Sequence, residues 1–139
     1  MNDIYAFFNN SSNSFTLVKM LIPAFMSILF LQSGLDKVFN YTSNLDYFTD
    51  HFKNSPLSKT VKILTPTITF LEILAGFLCA IGTISIIMGN TKWAFWGLLI
   101  AAISFLCLFL GQRLAKDYAG AGSITIYFIL NIVGLLLLS

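Results

Sequence analysis

Charged side chains occur at the ends of long apolar segments, where the surrounding residues are almost all hydrophobic. Asp36 and Lys37 end the first segment, Glu72 lies fewer than two turns inside the second, and Arg113 and Asp117 close the third. A charge is costly in a bilayer, so it normally faces other helices and marks a binding site or a pathway. These residues are therefore the first candidates for chemistry.

The elements that must position them are four apolar segments, each long enough to cross a hydrocarbon core of about 30 Å at 1.5 Å per residue. They cover residues 17–35, 66–88, 93–114 and 121–138. The chain is 57% hydrophobic and 10% charged, and a soluble domain of 139 residues has too little interior for so many apolar side chains. The sequence predicts an all-α integral membrane protein, a four-helix bundle, after a polar tail over residues 1–16 without a regular element.

Short turns at Gly89-Asn90 and residues 116–122 predict that successive spans run antiparallel, which places the charged ends on one side of the membrane. Glu72 shares a helix face with Gly76, a small residue that allows helices to approach closely, so its carboxylate should point inward and pair with a cation. We expect one polar rim there, with Gln32 extending it toward the interior and Lys37 or Arg113 beside Glu72. The candidate ligand-binding residues are Gln32, Asp36, Lys37, Glu72, Arg113 and Asp117.

The connection over residues 39–65 is long and half apolar. Leu45, Phe48 and Phe52 fall at helical spacing, with charged residues on the opposite side, which predicts an amphipathic helix in the membrane interface. A flexible loop with incidental aromatic residues is the alternative, and His51 is interpreted as a surface residue. The excess of lysine and arginine on this side predicts that it faces the cytoplasm, with both termini outside.

The end of the first span reads Gly34-Leu35-Asp36-Lys37, and the second span contains Leu71-Glu72 followed by Gly76. This Gly-x-x-Lys ending resembles the signature of the DoxX-like membrane proteins, a group that includes DoxX, DoxD and MauE. The aromatic connection, its Pro56-Leu57 pair and the polar exit of the third span from Arg113 to Asp117 are similar as well. The resemblance extends over residues 17–139.

The resemblance implies a four-helix protein of the bacterial inner membrane that is associated with redox complexes, as are subunits of quinol oxidases and of thiosulfate:quinone oxidoreductases. An accessory subunit with other membrane proteins as partners, or a self-associating one, is the leading hypothesis. A quinone-binding site at the polar rim is the second, in which case any catalysis would be that of a subunit of a quinone-linked oxidoreductase. A non-redox scaffold or assembly factor and a small oligomeric transporter remain alternatives.

Other classes of function have little support in the sequence. The net charge of +2, without a basic run, argues against nucleic acid as a partner and leaves the lipid bilayer. The only cysteines, Cys79 and Cys107, lie in apolar stretches without the spacing of a metal site, so no intrinsic metal cofactor is expected. The pairing of Lys37 with Glu72 stays open to two interpretations, a ligand site or a clamp that fixes helix packing.

Overall fold

Six α-helices make up the fold in the computed structural model, which describes all 139 residues apart from the side chains of Phe7, Phe8 and Ser11. In chain order they are α1 (Asn2–Asn9), α2 (Ser11–Phe39), α3 (Tyr41–His51), α4 (Val61–Ile87), α5 (Lys92–Leu114) and α6 (Tyr118–Leu138). Four of them, α2, α4, α5 and α6, are long and apolar enough to cross a membrane. The predicted all-α membrane bundle of four helices is confirmed.

The helices extend beyond the predicted spans at the N-terminal side. The prediction that residues 1–16 lack a regular element is wrong, because α1 lies there and α2 already begins at Ser11. The side chain of Asn10 accepts a hydrogen bond from the backbone N–H of Ser12 at 3.1 Å, which caps the start of α2. The polar cluster in this segment therefore initiates a helix. Pro23 and Pro66 lie inside α2 and α4, as transmembrane helices tolerate.

The amphipathic helix between the first two spans is also confirmed. Helix α3 turns Leu45 and Phe48 toward the protein, where they are half-buried, and leaves Asp46 and Asp50 exposed. It contacts α2 and α4, and a series of turns over residues 52–60 then leads into α4. This helix therefore covers the end of the bundle at which α2 ends and α4 begins.

Small residues bring the antiparallel helices together. A Cβ atom at Gly76 would lie 2.9 Å from the backbone nitrogen of Leu31 in α2, so α2 and α4 meet backbone to backbone as predicted from Gly76. Gly82 meets the backbone of Ala94 in the same way, which joins α4 to α5. The fully buried Asn131 of α6 donates from Nδ2 to the carbonyl oxygen of Leu98 in α5 at 2.8 Å. The bundle thus depends on close approach and interhelical hydrogen bonds.

We predict that Gly82→Ala destabilises the protein, because the added methyl group would overlap the backbone of Ala94, which cannot move away alone. Overpacking of this kind costs about 1–3 kcal/mol, more than the roughly 1 kcal/mol that alanine gains over glycine in a helix. The matched control is Gly122→Ala in α6, where nothing lies within 4 Å of the new atom. The free energy of unfolding of each variant is measured in mixed micelles. Equal effects of the two substitutions would contradict the close approach of Gly82 to Ala94.

Candidate functional site

A buried ion pair joins α2 to α4. Lys37 Nζ lies 3.0 Å from Glu72 Oε2, and the two residues are only 7% and 2% exposed. Ser33 completes the group: its hydroxyl donates to Glu72 Oε1 at 3.2 Å and accepts from Lys37 Nζ at 2.8 Å. The predicted inward orientation of Glu72 and its pairing with Lys37 are confirmed. Among the described residues, the ammonium group is the only polar partner of Glu72 Oε2.

The local sequence explains why these three side chains meet. Ser33 and Lys37 are four residues apart on α2 and therefore lie on one face, one turn above the other. Gly34 lies between them, and a Cβ atom there would be 2.7 Å from the side chain of Ile73 and 3.5 Å from Cβ of Glu72. The missing side chain at Gly34 allows α4 to come close enough for the Glu72 carboxylate to reach Ser33 and Lys37.

The other predicted site residues do not join this pair, so the prediction of one polar cluster is wrong. Asp36 is exposed and accepts hydrogen bonds from the amides of Asn40 at 2.8 Å and Asn44 at 3.2 Å. Arg113 is exposed, and its guanidinium carbon lies 4.5 Å from the ring centroid of Tyr118. Gln32 is also exposed, so its predicted inward orientation is wrong.

Helix phase is the physical reason for these departures. Each residue advances about 100° around a helix. Asp36 is therefore turned away from the face of Lys37, and Gln32 from the face of Ser33, even though each pair is adjacent in sequence. Arg113 follows the buried Gly111 by two residues, or about 200°, which points it away from the bundle.

A second polar group lies under the end of α3. His51 Nε2 is 2.7 Å from Gln112 Oε1, and because an amide oxygen only accepts, the imidazole donates. The same nitrogen is 3.6 Å from Asp117 Oδ2, and Asp117 also caps α6 by accepting from the N–H of Gly120 at 2.9 Å. This group ties α3 to the junction of α5 and α6, and it is where the predicted site residue Asp117 lies.

The interpretation of His51 as a surface residue is wrong, since its side chain is only 18% exposed. Its ring stacks on Tyr47, with centroids 5.5 Å apart and an angle of 15° between the planes. A signal for this was present in the sequence, because His51 follows Phe48 by three residues and therefore lies beside it on the helix, at the edge of the apolar face.

A cavity of about 160 Å³ lies between α3, its following turns, α4 and α5. Most of its lining is apolar, and His51 and Gln112 supply polar groups at one wall. Thr65 and Thr67 also line it, but both hydroxyls donate to backbone carbonyls of their own helix. The apolar side chains that line it include Phe48, Phe52, Leu57, Leu64, Leu71 and Leu108.

Phe48 connects the cavity with the ion pair, because it lines the cavity and its ring centroid is 6.0 Å from Lys37 Nζ. Leu64 and Cys107 are exposed lining residues, so the cavity opens at the outer surface between α4 and α5. The cavity can therefore hold a small, mostly apolar molecule and form a hydrogen bond to one polar group on it. Within the described part of the chain, no three His, Cys, Asp or Glu side chains lie together as a metal site would require.

Comparison of the chain with protein-family models, with curated proteins and with solved structures gives no match. The fold itself defines the class, a multi-pass integral membrane protein built as a four-helix bundle. The resemblance to the DoxX-like proteins stays a prediction from the motifs in the first two spans. The ligand-binding role of the six predicted site residues likewise stays a prediction.

We predict that Lys37→Met destabilises the protein by about 3–5 kcal/mol, because it leaves the buried Glu72 carboxylate without a counter-ion. Glu72→Leu should cost less, since the ammonium keeps its hydrogen bond to Ser33 and a long lysine side chain can extend toward the interface. The double variant should recover most of the loss. Unfolding free energies of the four proteins complete a double-mutant cycle.

The control for this cycle is Lys53→Met. Its ion pair with Asp50 spans 2.9 Å but is exposed, so its loss should have little effect. Additive effects of Lys37→Met and Glu72→Leu, or a cost of Lys37→Met no larger than that of the control, would contradict a coupled buried pair.

Proposed function

We propose that the protein is a redox-associated accessory subunit of the bacterial inner membrane and that it binds a quinone in the cavity between α3, α4 and α5. The observation that carries this proposal is an apolar cavity at the end of the bundle with a histidine–amide pair in its wall. Ligand sites of this kind combine a mostly apolar lining with a few placed polar groups. The DoxX-like motifs support the assignment to redox complexes.

The size of the cavity favours a single ring. An apolar cavity of roughly 150 Å³ binds one benzene molecule, so about 160 Å³ matches the volume needed for one six-membered ring, such as that of a quinone, and leaves no room for an isoprenoid tail. The tail would leave through the opening beside Leu64 and Cys107, where the lining residues are exposed on the outer surface of the bundle. Lipid then solvates the tail, as it does for free quinone in the membrane.

The polar wall supplies the donor that a quinone carbonyl requires. Gln112 uses its Oε1 atom to accept from His51, and its amide nitrogen, which lies beside Gly120, has no hydrogen-bond acceptor among the described residues. The proposal assigns these N–H groups to the ligand. Asp117 lies 3.6 Å from the imidazole and helps to hold it in place. In this proposal Gln112 binds the ligand, while His51 and Asp117 are positioning residues.

A non-redox scaffold is the second candidate, and the Lys37–Glu72 pair favours it. Lys37 and Glu72 pair with each other, Ser33 bonds to Glu72, and both charged residues are almost entirely buried. This is the arrangement of an ion pair that fixes the packing of two helices. The two candidates differ in one respect that can be measured, namely whether the cavity between α3, α4 and α5 holds a ligand.

The experiment is photolabelling of the protein in lipid nanodiscs with a photoreactive short-chain ubiquinone analogue, followed by mapping of the labelled peptides. We expect labels on α3, α4 and α5 at the cavity. Cys107→Phe should reduce labelling about tenfold, because the added ring fills the opening. The matched control is Ile103→Phe, which places the same ring at an exposed position of α5 outside the lining.

His51→Ala tests the polar wall separately. Without His51 the Gln112 amide is no longer held in place, and loss of its hydrogen bond to the ligand, worth about 0.5–1.5 kcal/mol, should weaken binding of the analogue about 3- to 10-fold. Lys53→Ala on the exposed side of the same segment should leave binding unchanged. Labels spread over the outer helix faces, with equal yield from the Cys107→Phe and wild-type proteins, would contradict the quinone site and favour the scaffold.

A further inference from the structure

The face of α2 opposite the bundle core carries large apolar side chains at alternating spacings of three and four residues. We call this row of positions the outer α2 stripe; it consists of six apolar residues and one polar residue, all of them exposed, namely Val18, Leu21, Phe25, Ile28, Gln32, Leu35 and Phe39. The spacing is that of the a and d positions of a heptad repeat, the pattern with which two helices pack together. Met26 and Phe30, on the other side of α2, are buried in the core.

Gln32 is the polar member of the stripe. It lies five residues before Lys37, or about 7.5 Å further into the bundle along the helix axis. Within the described part of the chain, no hydrogen bond to its amide is present. Exposed hydroxyls on the other spans are satisfied, since those of Thr67 and Ser123 donate to carbonyls of their own helices. An amide without a partner is costly in hydrocarbon, which favours a hydrogen-bond partner at this position.

A second copy of the chain supplies that partner. Copies of one membrane protein are inserted in the same orientation, so a two-fold axis along the membrane normal brings each interface residue opposite its own counterpart at the same depth. An amide carries both a donor and an acceptor and can therefore bond to an identical group. A purely apolar partner helix would leave Gln32 unsatisfied.

We propose that two copies of the protein associate through the outer α2 stripe and that the Gln32 amides of the two copies hydrogen-bond to each other within the bilayer. A single polar residue at an a position fixes the register of two parallel helices, and Gln32 takes that role here. No residue of α2 lines the cavity between α3, α4 and α5, so this association is independent of the proposed quinone site.

The first test measures dimerisation in lipid bilayers by energy transfer between donor- and acceptor-labelled proteins. Interhelical polar contacts in membranes contribute about 0.6–1.7 kcal/mol, so Gln32→Leu should raise the dissociation constant about 3- to 20-fold. Gln32→Asn keeps the amide and should have a smaller effect. Thr67→Val, an exposed polar residue of α4 whose hydroxyl already has a partner, is the control and should leave the constant unchanged.

The second test identifies the face. In a Cys107→Ala background, Ile28→Cys should form a disulfide between copies, because Ile28 lies in the stripe. Ile81→Cys should not, although Ile81 is also exposed and lies at a comparable depth on α4, as the contact between Gly76 and Leu31 indicates. The proposal would be overturned if the wild-type protein stays monomeric in bilayers or if Ile81→Cys cross-links in place of Ile28→Cys. It would also be overturned if the Gln32→Leu variant dimerises as tightly as the wild-type protein.

Discussion

Two opposite charges buried between α2 and α4 set the constraint to which the rest of the bundle conforms. Neither Lys37 nor Glu72 can stay charged in an apolar environment without the other, and Ser33 fixes the geometry by bonding to both. A shift of α4 by one residue would rotate Glu72 by about 100° away from its partners. The observed contacts of the pair are therefore compatible with only one register of the two helices.

The remaining helices follow from this register through contacts that each allow little freedom. Once α4 is fixed against α2, Gly82 and Gly97 hold α5 against it at backbone distance. Asn131 then positions α6 by its bond to Leu98 of α5. Helix α3 packs on α2 and α4 and is joined to the end of α5 by His51, and the cavity is the space beneath it. The cavity is therefore a consequence of the same helix packing that defines the fold.

Much of the fold could be predicted because the signals are local. Hydropathy alone reveals four spans, and the periodicity of Leu45, Phe48 and Phe52 reveals α3. The pairing of Glu72 with Lys37 could be predicted because few cationic residues lie at the same depth in the bundle as Glu72. Rotation of one helix relative to another leaves no such local signal, so the sequence predicts Gln32 and Arg113 on the inner side of their helices, whereas both are exposed. The contact of His51 with Gln112 spans 61 residues and depends on the finished bundle.

The distance between the side chains of Lys37 and Glu72 in a lipid bilayer can be measured by solid-state NMR, as the dipolar coupling between the lysine ζ-nitrogen and the glutamate carboxyl carbon. If the buried pair controls the packing of α2 and α4, this coupling should be strong, consistent with the 3.0 Å between Nζ and Oε2. An uncoupled Lys37 whose ammonium group contacts water or lipid head groups would contradict this role of the pair, because nothing else in the described part of the chain neutralises Glu72.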